Sequence, residues 1–172
     1  LTNGLSIVTH NQLYGRWTFN RIKTRVKTNR KLRIEFITHK MAVRLWSASD
    51  IELLDSAKEL SHTYLKKLGP DVLDNKTNHS VIYSRILNPQ FKNRRFSSIL
   101  LDQSFVAGLG NYLRTEILFF AGLDYSLRAS DLKHPEILKL SFSIKNVSIG
   151  AYRNKGRTID FEFLGKNFGN IE

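Results

Sequence analysis

Cysteine is absent from all 172 residues. That excludes a disulfide framework and any thiolate-held metal, and it suits a reducing cytosol. Acid is scarce at the front: residues 1–48 hold ten Lys/Arg against the single acid Glu35, while residues 49–130 hold ten against nine. Long apolar runs are missing too. The longest candidate, residues 99–123, carries Asp102, Arg114 and Glu116, which makes a membrane crossing costly. The chain opens on Leu1 instead of Met, with no basic-then-apolar leader, so its beginning is expected to be a cut end. There is no internal repeat and no low-complexity tract. The five histidines, His10, His39, His62, His79 and His134, have no spacing that would assemble a metal site.

What remains is a basic globular chain. Hydrophobic residues make up 41% of it and the net charge is +12, enough for a packed core and strongly attractive to a polyanion. The first 48 residues read as β structure. Asn3-Gly4 is a turn dipeptide before "LSIVTH". In "KLRIEFIT", Leu32, Ile34 and Phe36 alternate with Lys31, Arg33 and Glu35 as in a half-buried strand, and "MAVRLWSA" returns after a turn at His39-Lys40. These strands have little apolar surface of their own, so further strands are expected to pack against them.

From Ser49-Asp50 onward the pattern predicts helices. Either residue could cap a helix containing Ile51, Leu53 and Leu54. Gly69-Pro70 ends one segment. "HSVIYSRIL", "SSILLDQSFV" and "NYLRTEILFFAG" read as three further helices, and a last one starts near His134-Pro135. The expected fold class is α+β, with a partial β-sandwich at 1–48, a helical domain at 49–153 and a linker, or the start of a further region, at 154–172.

Two features carry chemistry. Gly108 and Gly110 interrupt an apolar stretch directly before Asn111. Such a turn can aim backbone N–H groups, a helix N-terminus and a carboxamide at an anion. Equally, it could let two core helices pack, with Asn111 as an N-cap. In "HNQLYG", Gln12, Leu13 and Tyr14 offer an amide, an apolar wedge and a stacking ring on a loop between strands. Alone, they read as a strand end with an exposed Tyr. Lys92, Arg94 and Arg95 in "FKNRRF" suit phosphates or a solvated face. Arg114 suits a phosphate or an internal carboxylate. Asp71, Asp102 and Glu116 suit caps and internal ion pairs and are assigned no catalysis.

Four blocks in order, "HNQLYGRW", "LWSASDIELL", "LGPDVLD" and "LLDQSFVAGLGNYLRTEILFFAGL", resemble the formamidopyrimidine-DNA glycosylase and endonuclease VIII family, and the endonuclease VIII branch in particular. The resemblance covers most of residues 1 to about 153 and makes the helical domain at 49–153 a helix-two-turn-helix DNA-binding domain. It implies a monomeric, cytoplasmic base-excision repair enzyme that removes oxidised pyrimidines from double-stranded DNA and cuts the strand by β,δ-elimination. It also implies that Gly110 and Asn111 bind phosphate beside the lesion and that Gln12, Leu13 and Tyr14 fill the gap left by the everted nucleotide. The family's nucleophilic N-terminal proline, its neighbouring glutamate and its strand-loop lysine have no match here, so no residue of this chain is assigned catalysis. Nor does the chain match the family's four-cysteine zinc hairpin, so no cofactor is assigned to it. The chain is therefore expected to be a fragment that binds DNA weakly and is inactive alone. A different class remains open: a non-enzymatic RNA-binding protein, because a small-subunit ribosomal protein carries a similar helix-two-turn-helix. A membrane-surface protein finds no support, since no helix joins a clean apolar stripe to a basic face.

Overall fold

The computed structural model describes residues 1, 3–12 and 14–158. The chain divides into two compact units, 1–62 and 63–172. The fold is α+β, with antiparallel strands in the first unit and helices in the second.

Five strands build the first unit: β1 (Leu5–His10), β2 (Arg16–Arg21), β3 (Leu32–Ile37), β4 (Met41–Trp46) and β5 (Asp50–Asp55). They form two sheets, β1-β5 and β2-β4-β3. The alternation expected of β3 holds at Ile34 and Phe36, half-buried while Arg33 and Glu35 face water, but not at Leu32, which is exposed; Phe36 lies opposite Val43 of β4. Ala42, Leu45 and Ala48 are the buried apolar residues among those described in this unit, whereas Phe19, Ile37 and Leu53 are exposed.

The helix expected from Ser49-Asp50 is a strand. Ile51, Leu53 and Leu54 sit in β5, in register with Thr9, Ile7 and Ser6 of β1. Ladder pairing with a partner forty residues away overrides a local spacing that suits either element. The cap comes later: the Asp55 carboxylate accepts the Ala57 N–H at 3.0 Å and opens a 3-10 helix over Ser56–Ser61. The first unit accordingly runs to His62, beyond the boundary expected at residue 48.

The second unit contains α1 (Thr63–Lys67), α2 (His79–Ile86), α3 (Phe96–Ile99), α4 (Asn111–Ala121) and α5 (His134–Arg153). Asn78 caps α2 through its side chain, accepting from the Val81 N–H at 3.0 Å. Gly122, at φ +70°, closes α4. Pro135 lies in the first turn of α5, where its missing N–H costs nothing. Phe91, Phe96, Phe105, Ile117, Leu140 and Ile144 are among the residues of one continuous core, in which Phe91 and Phe105 meet edge to face at 5.2 Å.

A second correction falls between α3 and α4. The helix expected over "SSILLDQSFV" stops after one turn at Ile99. Beyond it the Asp102 carboxylate accepts both the N–H and the hydroxyl of Ser104, at 2.9 and 2.6 Å. Arg85 donates to the carbonyls of Ser104 and Phe105. Backbone groups held in this way are lost to an i to i+4 ladder. The expected linker lies outside the described residues from 159 onward.

Candidate nucleic-acid interface

The glycine turn is built from a side chain that sequence reasoning passed over. Gln103 accepts the Gly108 N–H through Oε1 at 2.9 Å and donates from Nε2 to the Leu109 carbonyl at 2.8 Å. One amide thus holds both sides of the bend. Its only sequence signal is position, five residues before Gly108, because its partners lie in a loop whose shape local propensity does not encode. Asp102 anchors the same segment from the other side, its second oxygen accepting from Arg94 Nη1 at 2.7 Å. Burial pushes the Asp102 carboxyl up, but the Ser104 hydroxyl, the Arg94 guanidinium and the Ser104 N–H together outweigh it and hold the group below the ordinary aspartate range.

Gly108 and Gly110 do different work. Gly108 has φ +94°, a conformation that favours glycine, and a Cβ there would lie 3.2 Å from Val72 Cγ1, which would have to give way. Gly110 has φ −123°, a conformation open to any residue, and a Cβ there would meet nothing within 4 Å. The fold makes no demand for glycine at 110. It is the N-cap of α4 and supplies no side-chain cap, so the first N–H groups of that helix stay open to an outside acceptor. Asn111 is the first helical residue and is exposed. No side chain of the described residues bonds to its carboxamide. The alternative of an Asn111 N-cap therefore gives way to a bare helix N-terminus with a free amide beside it.

The cations of this unit divide. Lys92 and Arg95 are exposed and have no acidic partner among the described residues. Arg94 is committed to Asp102. Arg114 is half-buried and donates from Nη1 to the Ser97 carbonyl at 3.0 Å, so it ties α4 to α3 and does not meet the internal carboxylate that was the alternative. It also borders a hollow of about 250 Å³ shared with Phe119, Asp124 and Tyr125. Of the acids left without catalysis, Asp71 accepts the Leu73 N–H at 2.8 Å and Glu116 accepts the Thr158 hydroxyl at 2.8 Å.

In the first unit, the 11–15 loop joins β1 of one sheet to β2 of the other. It closes tightly, with the Gly15 N–H on the Asn11 carbonyl at 2.6 Å. Gln12 is exposed at φ +47°, and Tyr14 is 68% exposed. Both are exposed to solvent on this loop. Leu13 lies outside the described residues. Among the described residues no three His, Asp or Glu side chains group as a metal site would need. His10 faces Asp50, His62 faces Glu52, and His134 shares a hydrogen bond with Tyr83.

Residues 68–162 match the formamidopyrimidine-DNA glycosylase H2TH domain. The chain belongs to this family. Within it, the chain is 40% identical over 167 residues to Endonuclease 8 of Salmonella typhi, and equally so to Endonuclease 8 of Salmonella agona; the match takes in 97% of this chain and 64% of each relative. The chain therefore spans somewhat under two thirds of the length of the curated relatives it matches. Its fold resembles that of Lactococcus lactis Fpg solved with DNA containing N7-benzyl-Fapy-dG, at TM-score 0.73 and 18% identity, over 91% of this chain and 58% of that one. A complex of the same Fpg with abasic-site DNA gives TM-score 0.73 and 19% identity, over 91% and 57%. The matched region takes in α3, the Gln103-stapled turn and α4.

Proposed function

We propose that the protein works in base-excision DNA repair as a bifunctional glycosylase and abasic-site lyase of the endonuclease VIII kind, and that this chain supplies its grip on damaged double-stranded DNA. The observation that carries the reading is the N-terminus of α4: bare N–H groups, a glycine at 110 that packing does not require, and an unbonded carboxamide on Asn111. A phosphate oxygen fits that set of donors, and glycine lets a DNA backbone come close. On this reading Gln12 and Tyr14, with Leu13 between them, occupy the gap left by the everted nucleotide, while Lys92 and Arg95 add phosphate contacts. Endonuclease 8 relatives at 40% identity support the same chemistry. Such a protein acts as a monomer in the cytoplasm, on the chromosome, and this chain needs no metal for its part.

The deciding experiment measures binding of the 172-residue chain to an abasic-site duplex, with borohydride treatment as the second step. Retained binding without a covalent adduct is expected, because no residue matches the family's proline nucleophile. An adduct would show that another amine attacks the sugar and would overturn this assignment of parts. Binding that favours structured RNA and ignores the lesion would overturn the repair reading itself.

A further inference from the structure

Three stretches far apart in sequence meet at one end of the three-stranded sheet, and topology is the cause. Strands β2 and β3 both run antiparallel to β4, with Arg16 and Leu32 each opposite Trp46. The segments leading into β2 and β3 must then converge with the segment leaving β4. These are Tyr14, the 27–31 loop and Ser47. The Ser47 N–H bonds the Lys31 carbonyl at 2.8 Å, and the Thr28 hydroxyl accepts the Arg30 N–H at 3.1 Å, which gives the loop a defined shape. Between the three stretches lies an open hollow of about 620 Å³ lined by Tyr14, Lys27, Thr28, Asn29, Arg30 and Ser47.

Its lining holds two cations, an aromatic ring, hydroxyls and an amide, and no carboxylate. The acids of residues 1–62 are engaged elsewhere. Glu35 pairs with Arg44, Asp50 with His10 and Glu52 with His62; Asp55 caps Ala57 and Glu59 accepts from Ser6. Lys27 and Arg30 have no acidic partner among the described residues, so their charge faces solvent uncompensated. An open, acid-free trough with donors on one side and a stacking ring on the other suits a phosphodiester strand better than a small molecule, which needs enclosure.

We propose that the 27–31 loop is a second phosphate grip, in which Lys27 and Arg30 hold the DNA backbone next to the nucleotide that Tyr14 contacts. The inference rests on the DNA-repair reading of the protein, and it adds a site that lies in the β unit, apart from the α4 turn in the chain. Its role is positioning: the loop and Tyr14 share one hollow, so fixing the backbone there fixes where Tyr14 enters the stack.

Salt titration of duplex binding tests it, with and without an abasic site. Lys27→Gln should lower the slope of log K against log salt by about 0.9, and Lys27→Gln with Arg30→Gln by about 1.8 with roughly tenfold weaker binding at low salt, at one released counterion per phosphate contact. Lys27→Arg with Arg30→Lys should keep the wild-type slope. The control is Lys23→Gln with Lys40→Gln, which removes the same charge from the opposite end of the sheet, where the Ile22 N–H meets the Lys40 carbonyl. Equal losses in the control and the loop variant would mean a diffuse charge effect and would overturn the proposal. So would an unchanged slope in the exposed single variant Lys27→Gln, which spares the half-buried Arg30. If Asn111→Ala weakens binding while the loop variants do not, the loop site fails and the repair reading stands. If the wild-type chain ignores duplex DNA, the repair reading fails and the loop site with it.

Discussion

Gly108 and Gly110, two positions apart, respond to opposite pressures, and alanine separates them. Gly108→Ala puts a Cβ on a left-handed backbone and 3.2 Å from Val72, which should cost about 1–2 kcal/mol of stability, measurable by chemical denaturation. Gly110→Ala should leave the denaturation midpoint within experimental error, since its backbone is extended and its surroundings are empty, yet it should weaken duplex binding by crowding the phosphate. Asn111→Ala should weaken binding to lesion and intact duplex alike by about 1–3 kcal/mol, the range of a charge-assisted hydrogen bond. Tyr14→Ala should instead weaken binding to lesion-containing DNA more than to intact DNA, because only an open stack offers the ring a place. The reading of Asn111 as a candidate anion ligand needed only local signals: the residue type, the glycines before it and the helix after it. That it is the first helical residue, with Gly110 as the cap, depends on where the helix begins, which local signals place only within a residue or two.

The element between α3 and α4 is held by polar side chains more than by a ladder of its own. Asp102 is ionised at neutral pH and sits below the ordinary aspartate value of about 3.9. A depressed carboxyl contributes stability that is fully present above that value and is lost as pH falls through the lower, folded value. Thermal unfolding measured from about pH 6 downward should therefore show an acid limb that Asp102→Asn makes shallower. Gln103→Ala should lower stability, since it leaves the Gly108 N–H without its acceptor, and it should also weaken DNA binding by loosening the turn that aims α4. The regular helices α2, α4 and α5 could be read from their apolar residues, and α5 also from Pro135 near its start. This segment could not. Its apolar residues, Ile99, Leu100, Phe105 and Val106, have a helix-like pattern, but all four are buried in one core, and burial by itself does not require helical backbone. Strand β5 failed for the same kind of reason, since Ile51 is matched by Leu54 at helical spacing and by Leu53 at strand spacing until β1 is known to lie alongside.

Across the whole molecule, charge is the property that reaches furthest. The net charge of +12 and the single acid among the first 48 residues anticipate a polyanionic partner, and the five acids of residues 1–62 do not neutralise the 27–31 loop. Amino-acid order by itself determined the family, since the four blocks are contiguous and a block is a one-dimensional object. It also determined the strands β1, β3 and β4, the long helices, and the residues able to grip a phosphate. Only the tertiary structure decided which of those residues are free to do so: Arg94 is drawn to Asp102 and Arg114 to the Ser97 carbonyl, while Asn111, Lys92 and Arg95 stay open. It also brought Tyr14, Lys27, Arg30 and Ser47 to one hollow. The physical reason is the same in each case. Spacing along the chain specifies what a side chain can do, but competition among partners distant in sequence specifies what it is left free to do.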